Sequence, residues 1–215
     1  MEKANILAHR GLWEKISEKN TKSALFNALE NGFGIETDLR FDKSMGLVIS
    51  HDILNKSNKY LSFEELLIFY KSKKIKSKLA INIKSDGLHS ELKKLLNLYN
   101  INEYFLFDMS IPDLISGVKY NLNQFIRFSC YEDPYPYADI TNGVWIDIYN
   151  SKSASKSEII NLNKKWSSVV FVSPELHGQN HLEYWNFIKS FYKNSKINNM
   201  LCTDLPNEAY SFFNN

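Results

Sequence analysis

AHRGLWEKISEKNTKSALFNALENGFGIETDLRFDKSMGLVISHD, residues 8–52, is the stretch whose reading decides the fold. An apolar extended run, Asn5 to Ala8, delivers His9 and Arg10. A helix is predicted from Thr21 to Glu30, because Ala24, Leu25, Ala28 and Leu29 share one face, with Asn20 as its N-cap and Asn31-Gly32 as its stop. A second strand follows, Phe33 to Leu39. Alternation sends Glu36 and Asp38 to the same side of it, about 7 Å apart at Cα. After a turn at Lys43 to Gly46, a further extended piece, Leu47 to Ser50, brings up His51-Asp52, so a hairpin elaborates the second strand. Strand, helix and strand in this order form the unit of a parallel α/β fold.

The same alternation runs through the rest of the chain. Ser62 with Glu65 reads as a capping box for a helix to about Lys73, followed by a strand from Lys78 to Ile83 that ends at Lys84. Further strands are predicted at Tyr104–Phe107, Gln124–Phe128, Gly143–Ile148, Ser168–Val172 and Met200–Cys202. Helices are expected over Ser90–Tyr99, after Pro112, and over Lys156–Trp166, His181–Tyr192 and Asn207–Phe213. Pro134 and Pro136 make Tyr131 to Tyr137 a long ordered loop over the site, whose tyrosines can line a sugar or polyol pocket. Eight core strands with intervening helices predict one compact (β/α)₈ TIM barrel spanning residues 1–215, with the extra hairpin after strand 2. A doubly wound open sheet is the structural alternative, and it does not explain polar residues ending almost every strand. In a barrel, His9, Arg10, Glu36, Asp38, Lys84, Asp108, Arg127, Asp147, Glu175 and Asp204 gather at the carboxyl-end mouth. Trp145, Trp166 and Trp185 are read as core.

Composition narrows the class. Apolar residues make up 44% of the chain and aromatics 14%, which excludes a disordered chain. With 26 basic and 24 acidic residues the formal charge is +2, so no global field draws the chain to nucleic acid or to an anionic membrane. The one dense basic run, Lys71 to Lys78, reads as a solvated helix end and loop. Cys130 and Cys202 do not form a Cys-x-x-Cys pair, and both are expected as buried reduced thiols. Met1 to Ala8 lacks the length and cleavage pattern of a signal peptide, and no apolar run has membrane-spanning length. The expected compartment is the cytoplasm, without stable membrane insertion, and the sequence sets no oligomeric state.

Arg10 stays charged and can fork two donors onto a phosphate, while His9 and His51 are of the one side-chain type that can exchange a proton near neutral pH. Glu36 and Asp38 suit one hard divalent cation, Mg²⁺ or Ca²⁺. His9-Arg10-Gly11, Asn20-Thr21, Gly34, Glu36-x-Asp38 and His51-Asp52 together resemble the glycerophosphodiester phosphodiesterase family, within the phosphatidylinositol-specific phospholipase C-like superfamily. Ile83-Lys84 and Thr203-Asp204-x-Pro206 are later echoes. Two departures stand out: Glu18-Lys19-Asn20-Thr21 replaces the family's Pro-Glu-Asn-Thr, and Asn82-Ile83-Lys84 replaces its Glu-x-Lys.

The resemblance implies a TIM barrel and metal-dependent cleavage of a glycerophosphodiester-like small molecule. It implies His9 and His51 as acid and base, Arg10 and Lys84 on the phosphate, and a cation held by Glu36, Asp38 and the Asn82 position. Asn82 either lends its carbonyl oxygen or marks a lost ligand, with Asp108 or Asp147 as substitutes. The reaction can pass through a cyclic phosphate. Two rival readings are a catalytically weak barrel that binds a phospho-ligand and a metal-independent phospholipase C-like lyase.

Overall fold

A computed structural model describes residues 1–55, 57–147, 155–192 and 198–215. Strand β1 (Ile6–His9) pairs in parallel with β2 (Gly34–Asp42), and β2 with β5 (Leu79–Ile83). In turn β5 pairs with β6 (Tyr104–Phe107). From the other edge of β1 the parallel ladder continues through β10 (Asn198–Thr203), β9 (Ser168–Val172), β8 (Gly143–Ile146) and β7 (Phe125–Phe128). The expected extension of β8 to Ile148 lies outside the described residues. Strand β3 (Gly46–Ile49) runs antiparallel to the far end of β2, and β4 (Leu61–Ser62) antiparallel to β3.

Between β6 and β7 no regular ladder forms among the described residues. One parallel bridge, Leu106 to Gln124, and the Leu106 amide donating to Asn123 O at 2.8 Å span this seam. The expected continuous ring of ladders is therefore corrected to a curved parallel sheet with a single-bridge seam. Side chains reinforce it: Phe105 of β6 stacks on Phe125 of β7 at 4.0 Å, and Phe107 on Trp145 of β8 at 3.8 Å.

These rings belong to an inward-facing core with Leu7, Ala80, Val170, Val172, Met200 and Cys202. Large and small residues alternate across it, as a packed interior requires. A Cβ at Gly143 would stand 2.4 Å from the Phe125 ring. Helices α1 (Lys22–Glu30), α2 (Phe63–Ser72) and α3 (His89–Leu98) cover the outer face of one half, and α5 (Lys156–Lys165), α6 (Leu182–Tyr192) and α7 (Pro206–Asn214) that of the other. The short α4 (Ile111–Gly117) carries proline in its first turn, as predicted.

The predicted apolar face of α1 is the buried one, Ala24, Leu25, Ala28 and Leu29. Its N-cap is Thr21, whose hydroxyl accepts from the Ala24 amide, and not Asn20, which takes a left-handed φ of 61° and has another task. Ser62 accepts from the Glu65 amide at 3.4 Å at the start of α2. Tyr135–Ile140 forms a 3-10 helix where a loop was expected, because Pro136 fits a first helical turn as well as it opposes a helix interior. Cys202 is buried, but Cys130 is exposed. Trp145, Trp166 and Trp185 are core, as expected. No helix among the described residues is long and apolar enough to cross a membrane.

Gly11 fixes how the β1–α1 connection meets its helix. Its φ is 96°, and a Cβ there would lie 2.5 Å from the Ala24 carbonyl carbon. The adjacent Leu12 amide donates to Ala24 O at 2.9 Å, so the chain cannot back away. Gly11→Ala is expected to destabilise by about 3 kcal/mol in urea unfolding, combining left-handed strain with overpacking. Gly46→Ala, at φ 75° but with nothing within 4 Å, isolates the strain alone and should cost about 1–2 kcal/mol.

Candidate active site

The pleat explains why the polar residues meet. On each strand the residues two apart that fill the interior lower down lead to a polar side chain at the carboxyl end: Leu7 to His9, Ala80 to Asn82, Phe125 to Arg127 and Trp145 to Asp147. Parallel register places His9 beside Glu36 and Asp38 beside Asn82. The mouth is thus a polar layer resting on an aromatic floor.

His9 Nδ1 lies 2.6 Å from Asp204 Oδ1, and Lys19 Nζ donates to Asp204 Oδ2 at 3.0 Å. Burial of the imidazole pulls His9 below its ordinary value, outweighing the hydrogen bond and charge of Asp204 that raise it. Asp204 itself resists its desolvation through His9 and Lys19, which hold it below the usual carboxylate value. An ionised Asp204 accepts from Nδ1–H, so Nε2 of neutral His9 carries a lone pair toward the mouth, 3.9 Å from Glu36 Oε2. Glu175, in the 3-10 turn Pro174–His177 that follows β9, braces this arrangement: it accepts from the Asp204 amide at 3.1 Å and from the hydroxyls of Thr203 and Ser173.

Asp38 is fully buried and heavily partnered on one oxygen. Asn20 Nδ2 donates to Oδ2 at 2.8 Å, and Arg10 Nε is 3.0 Å from the same atom. Asn20 Oδ1 in turn accepts from Thr37, so its left-handed backbone serves to aim an amide at the strand. Arg10 also adopts a left-handed φ, 59°. Lys84 Nζ sits between Asp38 Oδ1 at 3.4 Å and Asp108 Oδ2 at 3.5 Å. Beyond it Arg127 pairs with Asp108 at 2.6 Å and with Glu132 at 2.5 Å.

At the mouth three oxygens are buried without a hydrogen bond: Glu36 Oε2, Asn82 Oδ1 and Asp38 Oδ1, the last 3.4 Å from the Lys84 ammonium. Such orphans cost free energy unless something cationic joins them. Desolvation, then the neighbouring Asp38 charge, drive Glu36 well above its usual value, against Arg10, Lys84 and a side-chain hydrogen bond from Asn82. Two carboxylates and an amide oxygen are a hard donor set, so these residues fit a divalent cation. Asp108 and Asp147 do not join them. Asp108 is taken by Lys84 and Arg127, and Asp147 Oδ1 holds His177 Nε2 at 2.7 Å. Among the described residues no three His, Cys, Asp or Glu side chains converge as a metal-ligand group.

His51 stands apart at the rim, 45% exposed, with Nδ1 2.8 Å from Asp52 Oδ1. Arg40, at the end of β2, places it by donating twice to His51 O, at 2.8 and 3.1 Å, and once to Lys84 O at 3.0 Å. A cavity of about 910 Å³ opens beside Arg10 and His51, between the β1–α1 and β3–β4 connections. Tyr131, Tyr135 and Tyr137, expected to line a pocket, do not line this one.

No protein-family model matches the chain, and no curated protein matches it. Solved structures do. A Galdieria sulphuraria protein described as a glycerophosphodiester phosphodiesterase matches at a TM-score of 0.79 and 19% identity, over 98% of each chain. The fold is that of the glycerophosphodiester phosphodiesterases. The enzyme of that name from Agrobacterium tumefaciens matches over 100% of both chains, at a TM-score of 0.72 and 15% identity. An Oleispira antarctica phosphodiesterase, solved with its product sn-glycerol-3-phosphate, matches at 0.72 and 13% identity over 98% of this chain and 97% of its own. Sequence reading had placed His9, Arg10, Glu36, Asp38 and Lys84 at the mouth, with Asn82 named as a cation ligand through the family resemblance. It gave Asp204 no role and missed Lys19 and Arg40. The lysine standing in the Pro-Glu-Asn-Thr position was the available signal for Lys19.

Proposed function

We propose that the chain is a divalent-cation-dependent phosphodiesterase of the glycerophosphodiester phosphodiesterase family, acting on a small-molecule diester at the mouth of a (β/α)₈ barrel. The observation that carries this reading is the trio of buried oxygens on Glu36, Asp38 and Asn82 that accept no hydrogen bond, flanked by His9 on one side and Arg10 and Lys84 on the other, with Lys84 Nζ 3.4 Å from Asp38 Oδ1. A Mg²⁺ or Ca²⁺ ion held by that trio would supply Lewis-acid polarisation of a phosphoryl oxygen. Arg10 and Lys84 stabilise the charge that builds on the phosphate. His9 Nε2 takes the proton of a substrate hydroxyl, whose oxygen bonds to phosphorus as the bond to the leaving alcohol breaks. His51 gives that alcohol its proton. The two histidines exchange roles when water opens the cyclic phosphate, which makes the enzyme a hydrolase.

The test is turnover of glycerophosphodiesters, whose glycerol hydroxyl supplies the attacking oxygen, with Mg²⁺, Ca²⁺ or a chelator. Turnover that requires the ion and returns on its readdition is expected. Undiminished turnover in chelator would favour the metal-independent lyase, and folded protein without turnover the binding barrel. Asp204→Asn should lower kcat by roughly 10²-fold with little change in KM, because Lys19 holds the amide oxygen, the NH₂ then faces His9 Nδ1 and favours the other tautomer, and the carboxylate charge is lost.

A further inference from the structure

Glu18 and Lys19, the two residues that break the Pro-Glu-Asn-Thr pattern, are both engaged at the mouth, and their contacts lead back to His9 by two routes. Glu18 accepts from the Glu14 and Lys15 amides, at 2.9 and 3.1 Å, and so folds the segment between Trp13 and Lys19 into a turn. At one end of that turn Trp13 Nε1 donates to His9 O at 3.0 Å. At the other, Lys19 Nζ lies 4.3 Å from the centroid of the Trp13 ring and donates to Asp204 Oδ2 at 3.0 Å. Asp204 Oδ1 completes the circuit on His9 Nδ1 at 2.6 Å. His9 is held through its main chain and its side chain by one closed ring of four residues.

Each contact restrains a freedom that the others leave open. The terminal torsion of an aspartate is broad, so a bond from His9 alone would let the Asp204 carboxylate turn and carry its accepting oxygen off line. Lys19 removes that freedom by occupying the second oxygen. A lysine on its flexible four-carbon stem loses rotamer entropy when held in one place. The indole face offsets this with a cation–π contact to an ammonium whose side chain is only 18% exposed. The indole in turn is aimed by its N–H bond to the His9 carbonyl. Among the described residues Lys19 forms an ion pair with Asp204 alone. The family pattern carries glutamate at this position, and a carboxylate here would confront Asp204 with like charge, so this support belongs to the present sequence.

We infer that Lys19 and Trp13 are positioning residues for proton transfer at His9, acting through the Asp204 carboxylate and the His9 main chain and touching neither substrate nor cation. This rests on the phosphodiesterase reading, since it deepens the role of that site's histidine. The departure from Pro-Glu-Asn-Thr is then a working replacement and not a decayed motif.

The experiment measures kcat and KM for glycerophosphocholine in a set of variants, alongside NMR of the proton on His9 Nδ1 in substrate-free, ¹⁵N-histidine-labelled protein. Lys19→Met keeps the stem and removes the charge, and should lower kcat about tenfold with KM within about twofold of wild type. Lys19→Arg can still pair with Asp204 and stack on Trp13, and should recover kcat to within about threefold. Trp13→Phe, which keeps a ring and removes the N–H donor, should lose about threefold in kcat. In an Asp204→Asn background Lys19→Met should cost no more than about a further twofold, because residues that act as a unit are not additive. The Nδ1–H signal should be sharp in wild type and Lys19→Arg and broadened by exchange in Lys19→Met. An equally sharp signal in Lys19→Met, or none in wild type, would overturn the inference. So would a loss confined to KM or one that Arg does not rescue, which would put Lys19 on the substrate, or full additivity with Asp204→Asn, which would take its effect off the Asp204 route. Absence of turnover of any glycerophosphodiester by folded wild type with its ion would instead sink the phosphodiesterase reading. The NMR signals, which need no substrate, tell that failure from failure of the ring.

Discussion

His9→Ala is expected to lower kcat by about 10³-fold for glycerophosphodiesters while leaving the protein folded and its cation binding intact. The size follows from what the side chain does. Burial keeps the imidazole neutral, Asp204 fixes its proton on Nδ1, and Nε2 is left facing the mouth 3.9 Å from Glu36. No other described imidazole is bound to this carboxylate, so nothing nearby substitutes for it. Removal empties a largely buried position in the polar layer at the end of β1 and not the aromatic interior below, so the fold should survive it. Single-turnover kinetics with circular dichroism on both proteins would check this. A kcat within tenfold of wild type would remove His9 from the proton-transfer steps.

Glu36→Gln should abolish the cation-dependent activity and also the thermal shift produced by the cation. In the wild type, Mg²⁺ or Ca²⁺ at about a hundred times its dissociation constant adds ~2.7 kcal/mol. For a chain of this length that raises Tm by roughly 5–10 °C. The variant should show no such rise, because a neutral amide adds no charge to the site. Without the ion its Tm should equal or exceed that of wild type, since Glu36 is buried beside Asp38 and its ionisation is disfavoured by desolvation and by that charge. Function and stability therefore oppose each other at this position. A variant that keeps the full cation-induced shift would show that the ion binds elsewhere.

Much of the site was legible because strand periodicity is rigid. Once Phe33 to Leu39 is a strand, Glu36 and Asp38 must share a face, and once Asn5 to Ala8 is a strand, His9 sits at its end. The helix face of α1 followed from spacing alone for the same reason. Asn20 shows where local reading stops. As a residue before a helix it reads as a cap, yet the structure gives the cap to Thr21 and turns the Asn20 amide onto Asp38, a partner eighteen residues away. Asp204 and Lys19 are likewise 185 residues apart and meet only because β10 closes against β1.

The sequence by itself determined the alternation of strands and helices, the inward-facing carboxylates, the histidine pair and the departure at Asn82. These depend on residue type and on periods of two and 3.6, which the chain carries locally. Only the tertiary structure decided that Asp204 orients His9, that Asp108 and Asp147 are committed elsewhere, that the β6–β7 seam is held by stacked rings, and that the large cavity lies beside His51 and not beneath Tyr131–Tyr137. Each of those depends on which strand ends become neighbours and on which charges neutralise one another there. Contacts between residues far apart in sequence are set by packing, and packing is a property of the whole fold.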